Sequence, residues 1–315
     1  MTFFRCARAR RPQLRPAAAV LAALLSLAPA HASAALRVVA TTEGLAALAK
    51  EAGGDKVQVE SLSRGVQDPH FVDANPTLAV KLRQADLLVD MGLDLEIGWL
   101  PPLVNQSRNP DIQPTGQRRL TAASYIHVLD VPTGPVDRSM GDLHPAGNPH
   151  FMDDPRAAVE VVLGIAKKLS QLDPANAATY AQRSADFQRR IDADLARWRA
   201  TFAPLRGRPI VAQHQTMSYL LDWTGLRAVG YLEPKPGVPP SAGHLAEVLQ
   251  TLEKTPAKMV IRAAYEDPRP VQFIAEKAHI PAVTLPYTIG GTDAAKNLFS
   301  LYDDTINRLL AAMKG

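Results

Sequence analysis

Three histidines stand where predicted strands give way to loops: His70 in Asp68-Pro69-His70, His150 in Gly147-Asn148-Pro149-His150-Phe151, and His214 in Val211-Ala212-Gln213-His214. They lie 80 and 64 residues apart, so no local zinc-finger spacing joins them and only the fold can bring them together. Imidazole is the commonest metal ligand and suits Zn, Cu, Fe or Ni. Three such side chains converging from two halves of a molecule would make a closed cage for a transition metal. One histidine alone is more often structural. Three at equivalent places, two of them directly after proline, argue for a shared role. Of the others, His127 falls in a loop-strand segment, and His244 and His279 fall in or at the end of helices. His144, six residues before His150, is expected to support the site or face solvent, with auxiliary metal capture as the alternative.

The elements that must position these residues alternate along the chain. Strand runs are predicted at Leu36–Ala40, Val57–Leu62 and Leu87–Met91, with helices at Thr42–Ala52, Asn75–Ala85 and Leu95–Asn105. Asn75 and Pro76 supply a helix cap and a first-turn proline. Gln106–Val136, broken by four prolines, reads as loop. Helical periodicity resumes at Asp154-Pro155, pauses at Leu172-Asp173-Pro174 and runs to Phe202. Strands then recur at Pro209–Gln213, Leu226–Leu232, Lys258–Ala264 and Ile280–Pro286. The helices between and after them are Thr216–Thr224, Ser241–Lys254, Pro268–Ala278 and Asp293–Met313. Such alternation predicts an α/β fold of two lobes, each a parallel sheet flanked by helices. The divisions are 35–172 for one lobe, 173–203 for a linking helix and 204–315 for the other. In open α/β sheets ligands bind beyond the carboxyl ends of the strands, where His70 and His214 fall.

Residues 1–34 read as a secretory leader. Arg5, Arg8, Arg10, Arg11 and Arg15 form a positive start, Ala17–Ala28 an apolar stretch too short to span a bilayer, and Ala30–Ala34 offers small-x-small cleavage after Ala32 or Ala34. The sole cysteine, Cys6, lies in the positive stretch and not at the cleavage point, so lipid anchoring is not expected. The chain carries 35 Lys and Arg against 31 Asp and Glu, but five of the arginines belong to the leader, which leaves 30 against 31. The basicity therefore belongs to export and gives no reason to expect nucleic-acid binding. The mature chain has no thiol for ligation, catalysis or disulfides.

At the motif level the chain resembles the metal-binding receptors of bacterial zinc and manganese ABC importers, the cluster A-I solute-binding proteins. Asp68-Pro69-His70 with Asn75-Pro76-Thr77 is similar to the family's first histidine motif. Asn148-Pro149-His150-Phe151-Met152-Asp153-Asp154-Pro155 is similar to its second, and Val211-Ala212-Gln213-His214 with Pro240-Ser241 to its third. The resemblance covers Leu36–Met313. It implies two lobes joined by a single rigid helix, metal held between them, and delivery to a membrane permease driven by a cytoplasmic ATPase. It further implies a soluble periplasmic monomer and leaves room for a metallochaperone that loads it.

The fourth ligand departs from the family pattern. Many members end the last strand in Leu-Asp-Pro, whereas Leu285-Pro286-Tyr287 stands here. The substitute expected is Asp293, just past Gly290-Gly291, with water or Glu266 next. Three imidazoles plus one carboxylate or water suit tetrahedral Zn²⁺. Mn²⁺, which favours more carboxylate, is the alternative cargo. A secreted zinc hydrolase, with Glu266 as base, is the rival class, but the chain has no His-Glu-x-x-His and no Gly-x-Ser-x-Gly.

Overall fold

The computed structural model describes residues 1–3 and 34–314, so the expected leader and its cleavage positions lie outside the described residues apart from its ends. From Ala35 onward the chain is one compact unit. It contains two four-stranded, wholly parallel sheets. The first is built from β1 (Leu36–Ala40), β2 (Val57–Ser61), β3 (Leu87–Asp90) and β4 (Arg119–Thr121), in the order β2-β1-β3-β4. The second is built from β5 (Pro209–Ala212), β6 (Arg227–Tyr231), β7 (Val260–Ala263) and β8 (Ala282–Leu285), in the order β6-β5-β7-β8. Both halves thus use one strand order, although no sequence repeat relates them. The central strands are covered on both faces, which is why Leu87–Asp90 is buried throughout and reads as an unbroken apolar run ending in one acid.

The helices follow their local signals. In α1 (Glu43–Gly53), Thr42 accepts a hydrogen bond from the Leu45 amide; in α2 (Pro76–Gln84), Asn75 accepts from Thr77 and Leu78 with Pro76 in the first turn. After α3 (Leu100–Ser107) and the irregular segment come α4 (Pro155–Leu172) and the 26-residue α5 (Ala177–Phe202). The pause foreseen at 173 is a 3₁₀ turn, Pro174–Asn176, fastened by a 2.7 Å hydrogen bond from Tyr180 Oη to Asp173 Oδ2. The second sheet carries α6 (Ser218–Thr224), α7 (Ala242–Lys254), α8 (Pro268–Ala278) and α9 (Leu298–Ala312).

Helix α5 ties the two sheets together. Its buried residues Tyr180, Ser184, Phe187, Ile191, Leu195, Trp198 and Phe202 recur every three or four positions and form one stripe. All but Ser184 belong to a single apolar core that runs from Val38 and Ala40 in the first sheet to Ile210, Ala212 and Ile261 in the second. Trp198 sits at its centre, 5.4 Å from Tyr302 between ring centroids, with Nε1 donating to Asp303 Oδ1 at 2.8 Å. Smaller cores around Leu82 and Leu88, and around Val260 and Ile274, cover the outer faces. A continuous core of this kind resists movement of whole halves, because each fully buried large apolar side chain contributes about 1.5–3 kcal/mol.

Three elements differ from their sequence-based expectations. Residues 95–99 form turns before α3, because the Glu96 carboxylate folds back to accept from Thr41 Oγ1 at 2.6 Å, Met91 N at 2.8 Å and Gly92 N at 3.3 Å. Strand β4 lies inside the segment read as loop, since three residues cannot display an alternation. The last helix starts at Leu298 and not at Asp293, with Asn297 and Ser300 forming a reciprocal capping box.

Burial, together with the nearby Asp90 carboxylate, pushes Glu96 up to about 7. The folded chain therefore keeps a proton that the unfolded chain releases near its ordinary range. Its contribution is fully present below about pH 4.5 and is lost as pH rises through about 7. Thermal midpoints of the metal-free chain are expected to fall across that window, and the fall to be shallower in Glu96→Gln. Equal slopes in a melting series would rule Glu96 out as a contributor.

Candidate metal centre

Each predicted histidine is placed by the hydrogen bonds around it. His214 follows β5, where the ladder continues as Gln213 N to Ile261 O at 2.9 Å on one side and Glu233 N to Gln213 O at 3.0 Å on the other. That second bond sets Glu233 alongside His214. His70 lies within the loop between β2 and α2, with its amide donating to Asp68 Oδ1 at 2.9 Å and Trp99 Nε1 donating to Pro69 O at 2.9 Å. His150 N donates to Asn148 Oδ1 at 2.9 Å, while Asn148 Nδ2 reaches Gln215 O at 2.9 Å. Asn148 thereby fastens the His150 loop to the His214 loop.

The three converge. Ring centroids are 5.2 Å apart for His70 and His150, 5.8 Å for His150 and His214, and 6.2 Å for His70 and His214. A fourth ring joins them: His144 lies 5.5 Å from His70 and 5.9 Å from His150, with its Nε2 3.4 Å from His70 Nε2. One nitrogen from each of His70, His144 and His150 lies within 4.8 Å of the others. His144 is therefore part of the cluster, and the solvent-facing role expected for it does not hold. Its loop is pinned to the loop after β6, by Asp142 N to Pro236 O at 2.8 Å and Lys235 Nζ to Ser139 O at 2.7 Å. Nothing in the spacing of His144 and His150 could foretell that anchoring.

The second nitrogen of each ring matters as much. His70 Nδ1 lies 2.8 Å from Asp68 Oδ1, and His214 Nδ1 lies 2.5 Å from Glu233 Oε2. A carboxylate oxygen only accepts, so both Nδ1 atoms carry the proton and both Nε2 lone pairs point elsewhere. His150 Nδ1 meets the Tyr287 hydroxyl at 3.3 Å. With a cation at Nε2, the His150 proton sits at Nδ1 and Tyr287 accepts it. Oxygen partners of this kind fix the orientation of metal-binding imidazoles and raise their basicity. Sequence reading named Asp68 only as a motif letter, missed Glu233, and treated Tyr287 as a gap in a ligand pattern.

Electrostatics agree with a cation seat. His150 is 1% exposed, its Nε2 has no hydrogen-bond partner, and burial plus the His70, His214 and His144 rings hold its pKa well below the ordinary value. Burial, then His70 and His214, bring His144 down to about 4. Both rings thus stay neutral and offer lone pairs. Burial pushes the Asp68 carboxyl up, but the His70 hydrogen bond and charge outweigh it, and the net direction is down.

The remaining expected ligands are placed differently. Asp293 is exposed in the loop before α9 and lines neither cavity to which the clustered histidines contribute. Glu266 faces the same cavity as His70 and His214, with Oε2 accepting from Ala263 N at 2.7 Å and Oε1 unpartnered. Tyr287, 2% exposed, stacks edge-on against His150 at 5.7 Å and Tyr265 at 5.3 Å.

With this geometry in view, the family model described as zinc-uptake complex component A, periplasmic, matches residues 38–312. The chain belongs to the ZnuA family. It is 27% identical over 304 residues to the high-affinity zinc uptake system protein ZnuA of Paracoccus denitrificans, covering 85% of this chain and 88% of that one. It is also 28% identical over 257 residues to the iron-binding protein YfeA of Yersinia pestis (76% and 77% covered). It is 22% identical over 272 residues to the manganese ABC transporter substrate-binding lipoprotein PsaA of Streptococcus anginosus (85% and 84% covered). A crystal structure of ZnuA superposes with a TM-score of 0.74 at 22% identity, covering 89% of this chain and 99% of that one, which matches the fold. Membership makes the chain a metal-binding receptor of an ABC importer and not an enzyme. Among the described residues no helix is long and apolar enough to cross a membrane.

Proposed function

We propose that the chain is an exported, soluble periplasmic receptor whose cargo is Zn²⁺, bound by His70, His150 and His214 with His144 in the fourth position. The observation that carries this is the buried, unpartnered Nε2 of His150 among rings whose Nδ1 atoms are already held by oxygens. His144 replaces Asp293 in this reading because it stands in the cluster whereas Asp293 faces solvent. An all-imidazole set suits tetrahedral zinc. It disfavours manganese, which ranks lowest among the divalent first-row metals at nitrogen sites and prefers oxygen ligands. The zinc, iron and manganese proteins above lie at 22–28% identity, too similar to one another in distance to choose the cargo. The donor set is what favours zinc.

The partners in this reading are a membrane permease and its cytoplasmic ATPase, with a periplasmic metallochaperone as a loading partner and the receptor itself monomeric. The test is calorimetry on the chelator-stripped chain from Ala35 onward. One tight zinc site, with manganese weaker by about a hundredfold or more, is expected from the nitrogen-site ordering. Tighter manganese would change the cargo, and no stoichiometric binding of either metal would defeat the reading.

A further inference from the structure

The chain leaves β3 through a strained turn. Gly92, Leu93 and Asp94 follow one another with φ of 84°, 53° and 62°. Glycine adopts such angles freely, and at Gly92 an added Cβ would lie 2.3 Å from Thr121 Cγ2. Leu93 has no such freedom, because its Cβ crowds the following carbonyl in the left-handed region. Among the described residues it is the only apolar residue other than glycine with a positive φ. Arg108 and His279 share that conformation, but each closes the end of a helix, where it is common. Leu93 closes no helix. Strain of this sort persists only where the surrounding structure over-determines it, and it gathers at functional sites.

The bonds that hold the turn converge on Glu96, which is buried. Its Oε1 accepts from Thr41 Oγ1 and Met91 N and its Oε2 from Gly92 N, so one carboxylate ties the start of the turn to the end of β1. Leu95 N closes the turn on Gly92 O at 3.2 Å. Its apex meets the histidine cluster. Leu93 packs its side chain against the main core, and its carbonyl stands within hydrogen-bonding reach of the His144 ring. The Nε2 of that ring lies 3.4 Å from His70 Nε2. A carbonyl oxygen only accepts, so a bond to it keeps the His144 proton on the nitrogen away from the cluster.

We propose that Leu93 is a positioning residue for His144: its carbonyl, held in a strained conformation by Glu96, fixes the ring with its Nε2 lone pair toward the metal. The inference rests on the reading of His144 as the fourth ligand. It gives that ring the kind of oxygen partner that Asp68, Tyr287 and Glu233 give the other three. A compensation follows. Without Glu96, Leu93 relaxes to negative φ and its carbonyl turns away from the ring. Glycine populates positive and negative φ about equally, so at position 93 it recovers part of what the lost carboxylate enforced.

Zinc calorimetry on wild type, Glu96→Ala and Glu96→Ala with Leu93→Gly tests this, with Glu96→Ala repeated in a His144→Ala background and each fold checked by melting. Glu96→Ala is expected to weaken zinc binding about tenfold, the lower end for partners that orient a metal-binding imidazole. Adding Leu93→Gly is expected to recover about threefold of that loss. In the His144→Ala background, Glu96→Ala is expected to change affinity by less than about twofold, since the ring to be positioned is gone. An undiminished loss there overturns the proposal, because the effect would then run through Trp99 and the His70 loop. So does a loss that Leu93→Gly leaves unrelieved or deepens. If Glu96→Ala fails to fold, Glu96→Gln carries the same test, since its amide oxygen still accepts from Thr41 and Met91 while Gly92 N loses its acceptor. If the wild-type chain bound no zinc, the receptor reading itself would fail. If His144→Ala bound zinc as tightly as wild type, His144 would not be a ligand and its positioning would fall with it. If His144→Ala weakened binding and Glu96→Ala did not, only the role of Leu93 would fall.

Discussion

His150→Ala is expected to lower zinc affinity by two to three orders of magnitude while leaving the metal-free fold intact. Structural zinc sites with four ligands are worth about 10–16 kcal/mol, so one ligand carries about 3–4 kcal/mol, or roughly a 10²–10³-fold change. His150 should stand at the upper end of that range, because it is the most buried of the four rings and its Nε2 has no other partner. The cost to the metal-free fold is small for the same reason. Removing the ring also removes a buried polar atom that the empty site leaves unsatisfied, which offsets part of the cavity created. Calorimetry would read the affinity. Thermal denaturation with and without zinc would read the coupling, since a ligand stabilises the folded state by RT ln(1 + [L]/Kd). Wild type should gain several degrees with zinc, and His150→Ala little. A variant that kept wild-type affinity would remove His150 from the site. His214→Ala is expected to act in the same direction, more weakly, because the His214 ring lies outside the tightest trio.

How far the sequence revealed this centre depended on whether a residue's role was local. The strand-end position of His214 follows from short-range patterning, as do the Asn75 cap and the proline starts of α2, α4 and α8, and the structure has all of them, whereas His70 stands well past the end of β2, inside the loop. Convergence of the three histidines was legible because parallel α/β sheets deliver loops to one edge. The placement of His144 was not, since it depends on Asp142 and Ser139 bonding to a loop nearly a hundred residues away. Tyr287 was read as the loss of a carboxylate. Its contact with His150 appears only when the chain leaving β8 sets its hydroxyl against that ring. Asp293 was drawn toward the site by its position after Gly290-Gly291 and by a helix start placed five residues too early. The close approach of Gly65 to the Ile289 carbonyl, where an added Cβ would lie 2.1 Å from the oxygen, likewise has no local signature.

Asp68→Asn and Glu233→Gln are expected to weaken zinc binding by about 10- to 100-fold each, although neither residue touches the metal in this reading. Each carboxylate holds its histidine in the tautomer with the proton on Nδ1, at 2.8 Å for His70 and 2.5 Å for His214. An amide of the same shape presents either an oxygen or an NH₂ group. When it presents NH₂, it selects the opposite tautomer and places a proton on the nitrogen meant for zinc. The charge is lost in either case, and with it the basicity that strengthens the metal–nitrogen bond. Because the two rings would hold one ion with their centroids 6.2 Å apart, the two changes are expected to couple in a double variant and not simply to add. Combining either with Ala at its own histidine should instead cost little beyond the histidine change alone, since the carboxylate then has no imidazole to orient. That non-additivity separates an orienting role from a ligating one. Were Asp68 or Glu233 direct ligands, its removal would still weaken binding after the neighbouring imidazole was gone.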